Sequence, residues 1–210
     1  MKNIILCFVC LAISFFSFSQ ESESNKKVKL KFSTPIVFEQ YQPFEVSNND
    51  SIPALNSMFG IGFEWQVSFN SWRITLGTTA GFSYREKHGY ESSVTSGSFE
   101  LYGGRTFQLG KKFSVTPELG YNYVAYGYRL TNNNQTIDFD NPFSMNVREF
   151  QNSAHRIVPR LSFLLFKDLQ IIASYHYDLS KNRWKVESGS LINSPREDFS
   201  AWRVGINYFF

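Results

Sequence analysis

Cysteine is almost missing from the 210 residues: there are two, Cys7 and Cys10, both near the N-terminus. Long apolar runs are also missing beyond the first twenty residues. That excludes a helical membrane protein, since a spanning helix needs roughly 20 consecutive apolar residues. Charge is scarce, at 19% of residues against roughly 25% in an ordinary soluble domain, and no basic cluster exceeds the Lys26-Lys27 pair. A net charge of +3 and a pI near 8.8 are too mild to indicate nucleic acid as a partner. What is abundant is ring surface: 22 Phe, 11 Tyr and 4 Trp make up 18% of the chain, although mean hydropathy is only −0.26. So much aromatic surface excludes a disordered chain and points to a β-rich protein.

Lys2, the apolar stretch from Ile4 to Phe18 and the small residues Ser17 and Ser19 form the pattern of a secretory signal peptide over 1–19, followed by a polar leader over 20–27. The rival reading, a membrane anchor, has too short a run for a bilayer core of about 30 Å. Both cysteines fall inside the signal, so the mature chain is expected to have no thiol, no disulfide and no cysteine metal site. Cys10 lies too early, behind Phe8-Val9, for a lipoprotein anchor.

After the leader, apolar residues recur at every second position, the period of a strand with two unlike faces. Segments run from Val28 to Phe38, Met58 to Phe69, Trp72 to Tyr84, Thr95 to Gln108, Phe113 to Arg129, Ala154 to Phe166, Leu169 to Leu179 and Ser200 to Phe210. In the second, Phe59, Ile61, Phe63, Trp65, Val67 and Phe69 oppose Gly60, Gly62, Glu64, Gln66 and Ser68. Asn70-Ser71, Leu109 to Lys112 and Lys167-Asp168 are short connections. Glu39 to Ser57, Arg85 to Val94, Leu130 to Ser153 and Ser180 to Phe199 are long and polar. Strict alternation of long and short predicts an all-β, eight-stranded antiparallel up-and-down barrel over 28–210, with every long loop at one end.

A soluble lipocalin-like carrier alternates too, with its apolar side turned inward. Three features favour apolar-out. The non-apolar face is dense in glycine, which suits a crowded small lumen. Rings cluster near strand ends: Phe69, Trp72, Phe113, Phe166 and Tyr208 beside the short turns, and Phe38, Phe59, Tyr84, Tyr177 and Trp202 toward the long loops. Two aromatic rows flanking aliphatic residues suit the two interfaces of a bilayer, and strands of about eleven residues suit a tilted crossing.

The final strand places Trp202, Val204, Ile206, Tyr208 and Phe210 on one face. It resembles the C-terminal strand of bacterial outer-membrane β-barrels, and the whole pattern is similar to the small eight-stranded barrels of the OmpA/OmpX transmembrane type. The resemblance implies a location in the outer membrane of a Gram-negative bacterium, contact with its lipid, and a terminal strand read by the barrel-assembly machinery, with Tyr208 and Phe210 carrying that recognition. A monomer without cofactor is expected. Pro35, Pro117 and Pro159 depart from the pattern, since each removes a ladder donor from a sheet without edges. Gly103-Gly104 reads as a bulge reversing parity, which would explain Arg105 on the apolar face. Snorkelling of Arg105 to the near interface is the alternative.

Counted up from the short turns, Glu64, Glu118, Arg160, His176 and Arg203 fall at one level inside the barrel, with Glu100 and Asp178 slightly higher. Opposite charges in a dry lumen must pair, and strand order suggests Glu118 with Arg160, and Asp178 or His176 with Arg203. A polar plug is the expected result. Ser174, His176 and Asp178 have the residue types of acid–base or nucleophilic catalysis, and some small outer-membrane barrels modify lipids. The lipid-A deacylase barrels, however, carry His-x-Ser where this sequence has His-Tyr-Asp, and the trio here faces inward. His88 and His155 are too isolated for a metal site.

The long loops are the other place for function. The first carries Glu39, Glu45 and Asp50. The third carries Asp138, Phe139, Asp140, Phe143 and Met145, and the alternation at Phe143 to Val147 suggests a hairpin extended above the membrane, able to add a partner's strand at its edge; a solvated loop with two rings on the rim is the favoured reading. The function expected is a structural or surface-binding outer-membrane barrel. A lipid-modifying enzyme, a narrow solute channel and a soluble periplasmic carrier are its rivals.

Overall fold

The computed structural model describes residues 28–44, 54–110, 113–132, 147–166, 168–186 and 196–210. The signal and leader, and Glu45, Asp50, Asp138, Phe139, Asp140, Phe143 and Met145 of the loops, lie outside the described residues. Strands are β1 (Val28–Phe44), β2 (Leu55–Phe69), β3 (Trp72–Lys87), β4 (Tyr90–Arg105), β5 (Phe107–Gln108), β6 (Ser114–Asn132), β7 (Val147–Leu164), β8 (Leu169–Asp178), β9 (Lys185–Val186) and β10 (Ala201–Phe209). The eight long ones close into a ring: consecutive strands pair antiparallel, β6 pairs with β7, and β10 returns to β1. Closure removes both sheet edges.

β5 continues β4 beyond a gap that has a chemical cause. Gly104↔Glu118 and Phe107↔Val115 keep one register on either side of Pro117, whose nitrogen has no proton to donate. Pro35 and Pro159 do the same. Ser33↔Glu64 and Ile36↔Ile61 bracket Pro35 in the β1–β2 ladder, and Ile157↔Tyr177 and Arg160↔Ser174 bracket Pro159 in β7–β8. Each proline aims its missing donor at one neighbour and keeps full pairing with the other. The barrel tolerates three local gaps without a slip in register.

Gly103-Gly104 makes no bulge. Pairing runs unbroken from Trp72↔Arg105 to Lys87↔Tyr90 and parity holds throughout β4. Arg105 therefore faces outward, with its guanidinium 5.6 Å from the Phe107 ring at the short-turn end. The bulge that does occur lies near the top of β1, between Gln40 and Phe44.

Several strands are longer than the alternating pattern indicates. Arg85 to Val94, expected as a long loop, is strand closed by the two-residue turn His88-Gly89, where both residues have positive φ (51° and 79°). β6 and β7 pair as far as Thr131↔Val147. A polar composition there reflects height, not loop structure: past the apolar band both faces of a strand meet water. The β3–β4–β6–β7 wall therefore stands taller than β8 and β10.

Outside and inside are cleanly divided. All ten rings of the two expected rows are exposed, from Phe69 at 40% to Trp202 at 67%, as are Ile36, Ile61, Ile74, Leu119, Ile171, Val204 and Ile206 between them. Inward positions are buried and mostly polar in the lower two-thirds of the barrel.

Candidate functional site

Eight charged side chains fill the middle of the lumen, four Glu and four Arg, in two chains of alternating sign. The lower chain runs Arg73–Glu118–Arg160–Glu64. Arg73 meets Glu118 at 2.8 Å, Arg160 meets Glu118 at 3.3 Å, and Arg160 binds both oxygens of Glu64, at 2.7 and 3.0 Å. The upper chain runs Arg156–Glu39–Arg203–Glu100, with contacts of 2.7, 2.7 and 2.5 Å. Neutral donors take the remaining lone pairs. Thr75 and Ser162 donate to Glu118, Asn207 and Gln66 to Glu64, and Ser98, Tyr102 and Asn122 to Glu100. An ion pair removed from water persists only when its other lone pairs and protons are also met, and here the carboxylates are saturated.

Tyr102 joins the two chains. Its hydroxyl donates to Glu100 at 2.8 Å while its ring lies 4.6 Å from the Arg160 guanidinium. The ring can lie flat because its cross-strand partner is Gly120. A Cβ on Gly120 would sit 2.2 Å from a Tyr102 ring carbon.

Parity places Glu64, Glu100, Glu118, Arg160 and Arg203 in this network. Arg73 and Arg156 also belong to it and were not singled out from sequence, and so does Glu39, which was expected in the first long loop. Two expected partners of Arg203 are replaced. Neither His176 nor Asp178 binds it, because Arg203 faces Glu39 directly across the β1–β10 seam, and Glu39 is a buried residue of β1, not part of a loop. Asp178 instead accepts from the backbone of Ser180 and Phe199, at 2.8 and 3.0 Å. His176 is fully buried, with Nε2 3.1 Å from Ser174 Oγ. Ser174 and His176 thus touch, while Asp178 is turned away to hold backbone, so no Ser-His-Asp relay forms.

A second layer closes the lumen above the charges. Tyr126, Tyr128, Phe150, Trp184, Phe199 and their neighbours form one buried apolar cluster. Trp184 and Phe199 come from the connection after β8, expected as a long polar loop. The described residues of that connection, 179–186 and 196–200, fold over the barrel mouth as a strap. Phe199 stacks on Tyr126 at 4.6 Å, and Trp184 meets Tyr128 and Phe199 at 5.6 Å each. Asn182 Nδ2 donates to Ser153 O (2.7 Å), and β9 pairs with β7. A cavity of about 10 Å³ between Glu39, Met58, Val124 and Arg203 has room for about one water.

On the outer surface His155 accepts or shares a proton with the Tyr121 hydroxyl at 2.5 Å and lies 5.1 Å from the Tyr123 ring. Among the described residues no three His, Cys, Asp or Glu side chains gather as a metal site. Trp202, Val204, Ile206, Tyr208 and Phe210 all project outward from the terminal strand.

A closed ring with an apolar exterior bounded by two aromatic rows, around a polar and filled interior, inverts the soluble arrangement and suits a bilayer. Several solved structures are similar to it. Ail, the attachment invasion locus protein of Yersinia pestis, matches with a TM-score of 0.49 and 14% identity over 86% of this chain and 97% of that one. Neisserial surface protein A gives 0.49 and 11% over 88% and 99%. A major outer membrane protein from Thermus thermophilus gives 0.45 and 12% over 86% and 99%. The chain folds as a closed eight-stranded antiparallel barrel. No protein-family model matches the chain, and no curated protein matches it in sequence.

Proposed function

We propose that this outer-membrane barrel neither conducts nor catalyses, and that it serves as a structural or surface-binding protein through its extracellular rim. The observation that carries the reading is the double closure of the lumen: a charge-balanced network of buried ion pairs and hydrogen bonds, roofed by the aromatic cluster of Trp184 and Phe199. Solute passage would require breaking both. Against the lipid-modifying alternative, Ser174 and His176 are buried inside the wall, away from acyl chains, and Asp178 is committed to backbone. The tall β3–β4–β6–β7 wall, by contrast, offers rigid strand surface above the membrane.

Purified folded protein in a planar bilayer tests the first half. Brief, rare openings or silence are expected, and a large steady conductance overturns the reading. Replacing His176 with Ala tests the second half. Lipid acylation profiles of cells carrying either form are expected to be identical, and a difference would favour the enzyme.

A further inference from the structure

The lumen changes character with height. Around and below the ion pairs its inward side chains are mostly polar. Above Arg156 and Glu39 the long strands turn apolar groups inward, among them Tyr41 on β1, Met58 on β2, Val94 on β4, Tyr126 and Tyr128 on β6 and Phe150 on β7. Together they make an apolar cup in the barrel mouth. The wall does not fill this cup by itself. Trp184 and Phe199 of the strap enter it, fully buried, with their rings edge to face at 5.6 Å.

The strap is lightly attached. Among the described residues its ladder to the wall is Phe150↔Val186 and Gln151↔Lys185, joined by Leu179 N–H donating to His155 O at 2.8 Å. Asp178 holds the Phe199 amide, and Asn182 bonds the backbone of Ser153. The Lys181–Asp198 pair has both side chains in reach of solvent, where such pairs hold weakly. Lys181, at the point where the strap leaves β8, has φ of 44°, a left-handed conformation that strains a residue with a Cβ. Ring burial is what seats the strap against that strain. The ladders among the eight long strands are untouched when the strap lifts, so the cup keeps its walls.

The floor of the cup has hydrogen-bonding capacity to spare. Phe199 stacks on Tyr126 at 4.6 Å, and the Tyr126 hydroxyl accepts from Arg156 below it. Arg156 Nε and His176 Nδ1 have no hydrogen-bond partner among the described residues, although both side chains are fully buried. Both lie directly under the cluster: Arg156 is two residues below Ala154 on β7, and His176 faces Ala201 across the β8–β10 ladder. A buried donor left without an acceptor is destabilising, and an acceptor entering the cup relieves it. The ion pairs beneath are already balanced in charge. A neutral acceptor therefore fits better than a carboxylate, which would be buried without a counter-charge.

We propose that the cup is a binding site for a small planar aromatic compound carrying a neutral hydrogen-bond acceptor, which takes the place of Trp184 and Phe199 and lifts the strap. Its ring packs among Tyr126, Tyr128 and Phe150, and its acceptor meets Arg156 and His176. The two displaced rings leave a space at the lower end of the range for ligand pockets, roughly 300 Å³. The residues between Val186 and Arg196 lie outside the described ones and form no part of the site. The ion pairs below stay in place, so the site is independent of whether the lumen conducts.

The test uses the folded barrel in nanodiscs with indole-3-acetamide as probe, binding being read by calorimetry against empty nanodiscs. Wild type is expected to bind, and the Leu179, Glu197 and Phe199 amides to lose hydrogen-exchange protection while strand amides keep theirs. Trp184→Ala, which no longer competes with the probe for the cup, is expected to bind at least about tenfold more tightly. 3-Methylindole, which lacks the acceptor, is expected to bind about tenfold more weakly than the amide. No binding by wild type up to the solubility limit of the probe overturns the proposal, and so does binding that leaves the strap amides protected. Equal affinity for 3-methylindole, or tighter binding of indole-3-acetate than of the amide, overturns the assignment of the floor. Folding of Trp184→Ala is checked by the shift in gel migration on heating. Should it fail to fold, the wild-type affinities and exchange pattern decide alone.

Discussion

Glu39 on β1 and Arg203 on β10 face each other directly across the seam that closes the barrel, and one carboxylate oxygen, Glu39 Oε2, accepts both Nε (3.0 Å) and Nη2 (2.7 Å) of the guanidinium. The other oxygen of Glu39 takes Arg156 at 2.7 Å. Removing this carboxylate leaves Arg203 with Glu100 but strips Arg156 of its carboxylate partner in a site closed to water. Breaking a buried pair in this way costs about 3–5 kcal/mol. Glu39→Ala is expected to lower stability by that amount in urea unfolding followed by tryptophan fluorescence. A loss below about 1 kcal/mol would show that the seam is held by its backbone ladder alone.

Gly120 makes a different demand on the network. Adding a methyl group there pushes the Tyr102 ring off the wall, and with it the hydroxyl that serves Glu100 and the face that covers Arg160. Overpacking of this kind costs about 1–3 kcal/mol. Gly120→Ala should be destabilised by that much, and the double variant Gly120→Ala, Tyr102→Leu less than the sum of the two singles. Strict additivity would argue against the contact.

The barrel was legible because its strands separate two unlike media, so period-two alternation survives along every crossing. Parity also placed Glu64, Glu118, Arg160 and Arg203 inside. What it lacked was strand length. A β1 ending at Phe38 puts Glu39 in a loop, and without Glu39 the nearest apparent partners for Arg203 are on β8. The strap was hidden for a related reason: its Asn, Ser and Pro content is that of a solvated loop, and Trp184 and Phe199 stand alone among polar neighbours. A signal was nevertheless present at Tyr126, Tyr128 and Phe150. These are rings at inward positions of a largely polar-lined lumen, and an apolar layer at that height needs a cover from above.

Trp184 is the keystone of that roof. It is fully buried against Tyr128 and Phe199, and truncating a buried tryptophan costs about 3–5 kcal/mol. Because the charge network lies below it, the loss should be local. Trp184→Ala is expected to make the strap sensitive to protease while the strands remain protected and the folded form keeps its gel mobility. Cleavage within the strands at the same rate would mean that roof and network unfold together.

Phe210 separates assembly from stability. In the folded barrel its ring is 73% exposed and its N–H donates to Phe32 O at 3.2 Å. Deleting it therefore removes one hydrogen bond, worth about 0.5–1.5 kcal/mol, and no lumen contact. If the terminal strand is the feature read during insertion, the deletion should cut the folded yield in cells severalfold while protein refolded from urea stays within about 1.5 kcal/mol of wild type. Unchanged membrane levels would count against that role.

The strap should also respond to acid through Asp198. Partial burial opposes ionisation of this carboxyl, but the Ser200 hydroxyl and N–H (2.9 Å) and Lys181 (3.3 Å) outweigh it and hold the group below the ordinary carboxylate range. A depressed folded value means that the unfolded strap binds its proton first as pH falls. The stabilisation is therefore complete above the unfolded value of about 3.9 and is lost as pH drops through the lower folded one. Hydrogen exchange at the Ser200 amide, corrected for intrinsic rates, should show steady protection from neutral pH to about 4 and a decline below it. In Asp198→Asn, protection should be weaker at neutral pH and the decline shallower. A wild-type profile that stays flat to about pH 2, or one that the asparagine leaves unaltered, would remove Asp198 as the latch of the strap.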